Sequence, residues 1–269
     1  MSRDITAAPP VPADQRHSYG VDASQFFDLF LPHAMAPASA AAFASGFAVM
    51  IHGGFWRAKY DLAHTSHLCA ALAAAGYPCI NLEYRRAGSG PGGGGGWPTT
   101  FNDLQTGLAA ARKLFAAAPV VIGHSAGGHL ALRLAAPLAG NTADIRAVLA
   151  LAPVADLQLA YDLHLSHDAV VEFLGGTPAE RPDIYAAADA ARHPSRLHRT
   201  LIHGTQDAVV PIALSHSYCE KMRAADSAEV ELIELADAGH FDLIDPQSKA
   251  WPRVLECVRI LMAGAAGTR

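Results

Sequence analysis

Long apolar runs are missing from this 269-residue chain. None reaches the length that a membrane span needs. The opening stretch, MSRDITAAPPVPADQRHSYG, also lacks the apolar centre of a signal peptide. Basic charge is scarce as well: 20 Lys and Arg against 25 Asp and Glu leave a net charge of −5. The tightest basic cluster is Arg85-Arg86, too little to hold a phosphate backbone, so no nucleic-acid partner is expected. Only 4 cysteines occur, Cys69, Cys79, Cys219 and Cys257, far apart and with no CxxC pair. That excludes a disulfide framework and fits reduced thiols in a soluble, cytoplasmic protein. Cys219 falls in a helical pattern and reads as packing rather than as a nucleophile.

What is present is a globular profile, 51% hydrophobic and 17% charged, in a length that suits one large α/β domain. Residues 1–22 are Pro- and Ala-rich without periodicity and are expected to form a flexible arm, leaving 23–269 as a single domain. From Phe47 onward, short apolar runs alternate with helical segments. The expected strands are Phe47–Ile51, Pro78–Glu83, Val120–Gly123, Arg146–Ala152, Thr200–His203 and Val230–Leu235. The expected helices are Ala63–Ala75, Thr100–Ala117, Gly127–Ala139, Ile212–Ala224 and Gln247–Met262. Such alternation implies a mostly parallel, doubly wound sheet with helices on both faces. The segment 153–194 is longer than one crossover needs and is expected to lie as a small insertion over one end of the sheet. The tract AGSGPGGGGGWP, holding Gly92–Gly96, reads as a flexible loop.

Two stretches carry chemistry. VVIGHSAGGHLALRLAA places G-x-S-x-G, Gly123 to Gly127, between a β-branched strand and an alanine-rich helix. That is the context of a nucleophile elbow: a sharp strand-to-helix turn presents Ser125 at a helix N-terminus, and Gly123 and Gly127 let the backbones pass. The plainer alternative is a glycine-rich turn with Ser125 as a helix cap. A serine nucleophile needs a base and a group to orient it. Asp207 in LIHGTQDAVVP and His240 in LADAGHFDLID follow in the order Ser, Asp, His, each just beyond an expected strand. Asp156 is an alternative acid, while Asp237, Asp242 and Asp245 read as solvated loop acids. The pairs His64/His67 and His164/His167 lack a matching carboxylate or thiol cluster, so no metal is expected.

The second stretch, FAVMIHGGFW, is an apolar run ending in paired glycines. Gly53 and Gly54, with Ala126 after the nucleophile, are the expected backbone donors to a tetrahedral oxyanion. His52 is expected to anchor that loop by hydrogen bonds. Phe55, Trp56 and His124 are candidates for the pocket wall, with core packing an equal alternative for the two aromatics.

These motifs resemble the α/β-hydrolase superfamily of serine esterases from about Gln25 onward. HGGFW is similar to the HGGxW form of kynurenine formamidases and related small esterases. GHSAGGHLA, FLGGTPAERPDIYAAA, HGTQDAVVP and AGHFDLID follow in the same order. The resemblance implies an α/β-hydrolase fold, the triad Ser125, Asp207 and His240, an oxyanion site at Gly53, Gly54 and Ala126, and neither cofactor nor metal. The expected activity is hydrolysis of small, short-chain carboxylic esters. An arylformamidase acting on N-formylkynurenine, hence an amide substrate, is the alternative, and a non-catalytic binding member of the fold is a third. Gly92–Gly96 has no counterpart in the formamidase pattern. Phe26, Phe27 and Phe30 in an early edge strand could pair with a second copy or cover the core, so a homodimer stays open.

Overall fold

The strands form where short apolar runs meet neighbours on both sides and both faces. A computed structural model describes residues 4–33, 46–136, 144–225 and 230–264. Its sheet has eight strands: β1 (Gln15–Ser18), β2 (Phe26–Phe30), β3 (Ala48–Ile51), β4 (Cys79–Leu82), β5 (Val120–His124), β6 (Ala147–Leu151), β7 (Arg199–Gly204) and β8 (Val230–Leu235), in the spatial order β1-β2-β4-β3-β5-β6-β7-β8. From β4 to β8 every pairing is parallel, and only β1–β2 and β2–β4 are antiparallel.

Alternation along each central strand divides the core into two layers. Val49, Ile51 and Val121 face one cluster; Ala48, Met50, Val120 and Ile122 face the other. The first layer is covered by α2 (Thr99–Arg112), α3 (Ala126–Leu134) and α7 (Ala213–Ala224), through residues such as Leu104, Leu130 and Tyr218. The second is covered by α1 (Ser66–Ala74) and α8 (Trp251–Ala263), through Leu68, Leu72, Val254 and Val258. The insertion supplies α4 (Leu157–Asp162), α5 (Ala169–Leu174) and α6 (Pro182–Ala188). The last residues of the helix expected over Gly127–Ala139, 137–139, lie outside the described residues. All four cysteines are buried and free, and burial pushes the Cys219 thiol up, as packing residues require.

Three expectations need correction. The stretch 4–22 is no loose arm: β1 lies in it, Ile5 is fully buried in the second layer, and the Val11 amide donates to Ser66 Oγ at 2.9 Å. The β1–β2 ladder, the Arg16–Asp28 ion pair and the Tyr19 hydroxyl, which donates to Glu83 O at 2.7 Å, fix it further, none of them announced by periodicity. The second concerns β2, which has β1 on one side and β4 on the other. Phe27 and Phe30 are buried and Phe26 lies under the Arg16 guanidinium, so this strand offers no free edge to a second copy. The third concerns the glycine tract, which is a hydrogen-bonded coil. Arg86 N donates to Gly92 O, Gly95 N to Arg86 O and Gly94 N to Gly88 O, all within 3.0 Å. A Cβ at Gly95 would sit 2.2 Å from Arg85 O, so glycine there serves close backbone packing.

Candidate active site

The functional side chains come from the C-terminal ends of four parallel strands, the edge where open α/β sheets collect their ligands. Ser125 directly follows β5 and precedes α3, with φ 57° and ψ −120°. A non-glycine residue held there costs on the order of 1–3 kcal/mol and persists only when its surroundings fix it. They do: Ser125 N donates to Leu151 O at 2.9 Å, and Ser125 O accepts from Val154 N at 3.1 Å and from His129 N at 3.2 Å. A Cβ on Gly127 would lie 2.1 Å from Ile51 O and 2.4 Å from His52 O, both backbone atoms. Gly127→Ala therefore has to push α3 off β3. We expect a loss of roughly 3 kcal/mol in urea unfolding; an unchanged midpoint would contradict this packing.

After β3 the chain turns through His52-Gly53-Gly54. A Cβ on Gly53 would stand 2.9 Å from Ser125 Cβ and 2.9 Å from His124 O, so this glycine lets the turn touch the elbow. Gly54 has φ +109°, and a Cβ there would meet the Tyr60 side chain at 2.4 Å. Both glycines are thus required by the turn itself, in addition to any ligand. Phe55 and Trp56 continue the left-handed backbone, with φ 50° and 59°. This turns Trp56 inward, where it is 1% exposed and stacks on Phe173 of α5 at 4.7 Å between centroids. Trp56 is therefore core and not pocket wall, whereas Phe55 and His124 do face the cavity.

His52 anchors the turn as expected: Nδ1 meets Gly53 O at 2.8 Å and Nε2 meets Glu83 Oε1 at 2.9 Å. Glu83 is 2% exposed and also accepts from Arg86, from Tyr84 N at 2.8 Å and from Leu62 N at 3.1 Å. Burial alone would raise its carboxyl; attraction to His52, its hydrogen bond and Arg86 outweigh that and hold it at about 2, below the ordinary 4.5. A depressed carboxylate stabilises the fold above its unfolded pKa and loses that contribution as pH falls through the folded value. Glu83 should thus contribute on the order of 3 kcal/mol at neutral pH, fading from about pH 4.5 towards 2. Urea unfolding of Glu83→Gln beside the parent checks it: the gap between them should narrow from pH 7 to pH 3, and a constant gap would refute the linkage.

Asp207 follows β7 and His240 follows β8. His240 Nδ1–H donates to Asp207 Oδ2 at 2.7 Å, while Oδ1 accepts from the Val209 and Val210 amides, each at 2.8 Å. Burial would raise the Asp207 carboxyl, but the hydrogen bonds from His203 and His240 hold it far below the carboxylate range. Asp242 Oδ2 accepts from Gly239 N at 2.7 Å and shapes the turn before His240. The buried His124 ring donates through Nε2 to His240 O at 3.1 Å, tying that turn to the elbow, and its centroid lies 4.5 Å from that of His240. Burial, then the neighbouring His240, pushes the His124 imidazole well below its ordinary value.

One reading of another residue resolves here. Asp156 accepts from Leu159 N, Ser217 and Lys221, so it caps α4 and pairs away from His240. Among the described residues, no group of three or more His, Cys, Asp or Glu could hold a metal ion. His64 lines the cavity, its imidazole lowered to about 4 by burial and then by His52. Sequence reasoning missed His203, whose Nε2 reaches Val210 O at 2.9 Å and Asp207 Oδ2 at 3.3 Å. A histidine near the end of β7, four residues before the acid, was the available signal.

Ser125 and His240 open into one cavity of about 430 Å³, large enough for a small molecule. Gly54, Phe55, Tyr60, Lys59, Ser166 and Phe241 are among its walls, and Thr6 closes part of it. A hollow of about 610 Å³ along Leu235–Ala250 is larger, but contains neither Ser125 nor His240. The cavity holding both is the candidate site.

A family model described as BD-FAE matches residues 28–222. The chain belongs to the BD-FAE family. The family's α/β-hydrolase esterase fold is the sheet described above. Among curated proteins, this BD-FAE member is similar to esterase LipC of Mycobacterium tuberculosis, 29% identical with 88% of this chain aligned, and to esterase LipQ of the same organism, 26% identical with 72% aligned. It spans only 64% of LipC and 50% of LipQ. Among solved structures, a thermophilic esterase of Thermogutta terrifontis superposes with TM-score 0.72 at 21% identity over 96% of both chains. A truncated carbohydrate esterase from gut microbiota superposes with TM-score 0.74 at 19% identity, over 95% of this chain and 99% of that one. At these identities the likeness of structures speaks for the fold. Among the described residues, no helix is long and apolar enough to cross a membrane.

Proposed function

We propose that this protein is a cofactor-independent serine hydrolase that cleaves small carboxylic esters through an acyl-enzyme. The observation that carries the reading is the constrained Ser125 opening into the same cavity as a histidine whose other nitrogen is held by a buried carboxylate. Asp207 takes the Nδ1–H of His240, so Nε2 presents a lone pair as base. Ser125 Oγ attacks the acyl carbon as its proton passes to His240 Nε2. The negative charge forms on the carbonyl oxygen, next to the amides of Gly54 and of Ala126, the first residue of α3, with Gly53 supporting the turn. Collapse expels the alcohol, which takes the proton from His240. Water then enters, gives its proton to Nε2 and attacks the acyl carbon, releasing the acid and restoring Ser125.

A cavity of about 430 Å³ suits an acyl group of several carbons. Trp56 packs on Phe173 and does not line this cavity, so the tryptophan of HGGFW adds no pocket contact in favour of arylformamidase, and the ester reading is preferred. Four free, buried cysteines fit a reducing cytoplasmic setting. The test is a side-by-side measurement of kcat/KM for p-nitrophenyl butyrate and N-formylkynurenine, with Ser125→Ala as blank. A large preference for the butyrate is expected. Preference for the formamide would move the protein to that class, and binding without turnover of either would sink the catalytic reading.

A further inference from the structure

The loop between α4 and α5 is unusual in backbone. His164, Ser166, His167 and Asp168 have φ of 49°, 49°, 55° and 56°, four left-handed non-glycine residues within five positions. L-residues do not hold such a conformation unless something compensates it. The compensation comes from a residue 109 positions earlier. Arg57 donates from Nη1 to Ser166 Oγ at 2.9 Å, from Nη2 to Ser166 O at 2.9 Å and from Nε to Glu172 Oε2 at 2.7 Å, with His167 O 3.5 Å from Nη2. The left-handed run brings two successive carbonyl oxygens to one guanidinium, and only a planar fork reaches both them and the carboxylate.

Arg57 is itself the last residue of the strained turn after β3. Its amide donates to Gly54 O at 3.0 Å and closes the left-handed pair Phe55-Trp56; Ala87 then fixes the outgoing chain, donating to Trp56 O at 2.7 Å and accepting from Ala58 N at 2.9 Å. One side chain thus joins two strained segments, and each puts a residue on the cavity: Gly54 and Phe55 from one, Ser166 from the other.

We propose that Arg57 is a positioning residue that fastens the Gly54 turn to the Leu163–Asp168 loop and so sets the oxyanion amides against Ser125. The oxyanion part rests on the ester-hydrolase reading above; the fastening does not. When the guanidinium is lost, both segments relax towards ordinary backbone, and the Gly54 amide leaves the place where negative charge develops. Because that contact is made in the transition state, the loss appears in kcat more than in KM.

The experiment compares the parent with Arg57→Met, Arg57→Lys and Glu172→Gln by two readouts. The first is kcat and KM for p-nitrophenyl acetate, with and without added guanidinium below denaturing concentration. Arg57→Met should lose roughly 10²-fold in kcat with KM little changed, since small misplacement of an oxyanion donor has that size. Guanidinium should restore part of the loss, Arg57→Lys should recover less than guanidinium does, and Glu172→Gln should keep parental kcat because the carbonyl contacts remain. The second readout is amide hydrogen exchange, which needs no turnover. Exchange should accelerate in both 54–58 and 163–168 in Arg57→Met. Parental kcat, or acceleration confined to 163–168, would overturn the proposal. If the parent itself does not hydrolyse the ester while both segments loosen in Arg57→Met, the fastening stands and the hydrolase reading falls.

Discussion

Ser125→Ala is expected to lower kcat for p-nitrophenyl butyrate by about 10⁶-fold, the size of effect seen when a triad nucleophile is removed. The backbone at Ser125 sits at φ 57° because Leu151, Val154 and His129 hold its amide and carbonyl, not because of its hydroxyl. Alanine should therefore adopt the same turn, and the thermal midpoint should move by no more than a few degrees. The Gly54 and Ala126 amides remain in place, so the residue of activity should still exceed the rate in water by about 10³-fold. Steady-state kinetics and a melting curve on the same preparation check both halves. A variant within tenfold of the parent would exclude Ser125 as nucleophile.

Asp207→Asn should cost about 10⁴-fold in kcat while leaving the fold intact. The reason lies in how the carboxylate is divided. Oδ1 is fixed by two backbone donors, Val209 N and Val210 N, whereas Oδ2 faces His240 and His203. An asparagine has one acceptor atom, and two amide donors will claim it. Its NH₂ must then face His240 Nδ1, which becomes an acceptor, and the ring carries its proton on Nε2. The imidazole is then the wrong tautomer to take a proton from Ser125. A kcat within an order of magnitude of the parent would show that Asp207 does not set the tautomer.

The central fold was legible because its signals are local. FAVMI, VVIGH and AVLAL are short, largely apolar runs, and each falls on a strand of the parallel sheet. The proposed site residues Ser125, Asp207 and His240 could be located because each lies just beyond a strand, β5, β7 and β8, that the apolar runs mark out. The role of Trp56 was not legible, since an aromatic after paired glycines points outward or inward according to a φ sign that its letters do not carry. Nor was the stretch 4–22, which is held by Ile5 and a Val11–Ser66 hydrogen bond without periodicity. Arg57 escaped because its partner is chosen by tertiary proximity, across 109 residues to Ser166, whereas His203 lies only four residues before Asp207 and was simply overlooked.

β5 lies between β3 and β6, with further strands beyond both neighbours, so Ser125 is mounted at the centre of the sheet, where local opening is least favoured. Ser166 is carried by a short loop between two six-residue helices. The proposed nucleophile and part of the cavity wall therefore sit on very different supports, a central strand and a short surface loop. On the proposed function, substitutions in the inserted helices would change which molecules enter while Ser125 and His240 stay where they are. A lineage, or a laboratory selection, would then trade one substrate for another along the 153–194 segment without first losing the proposed reaction.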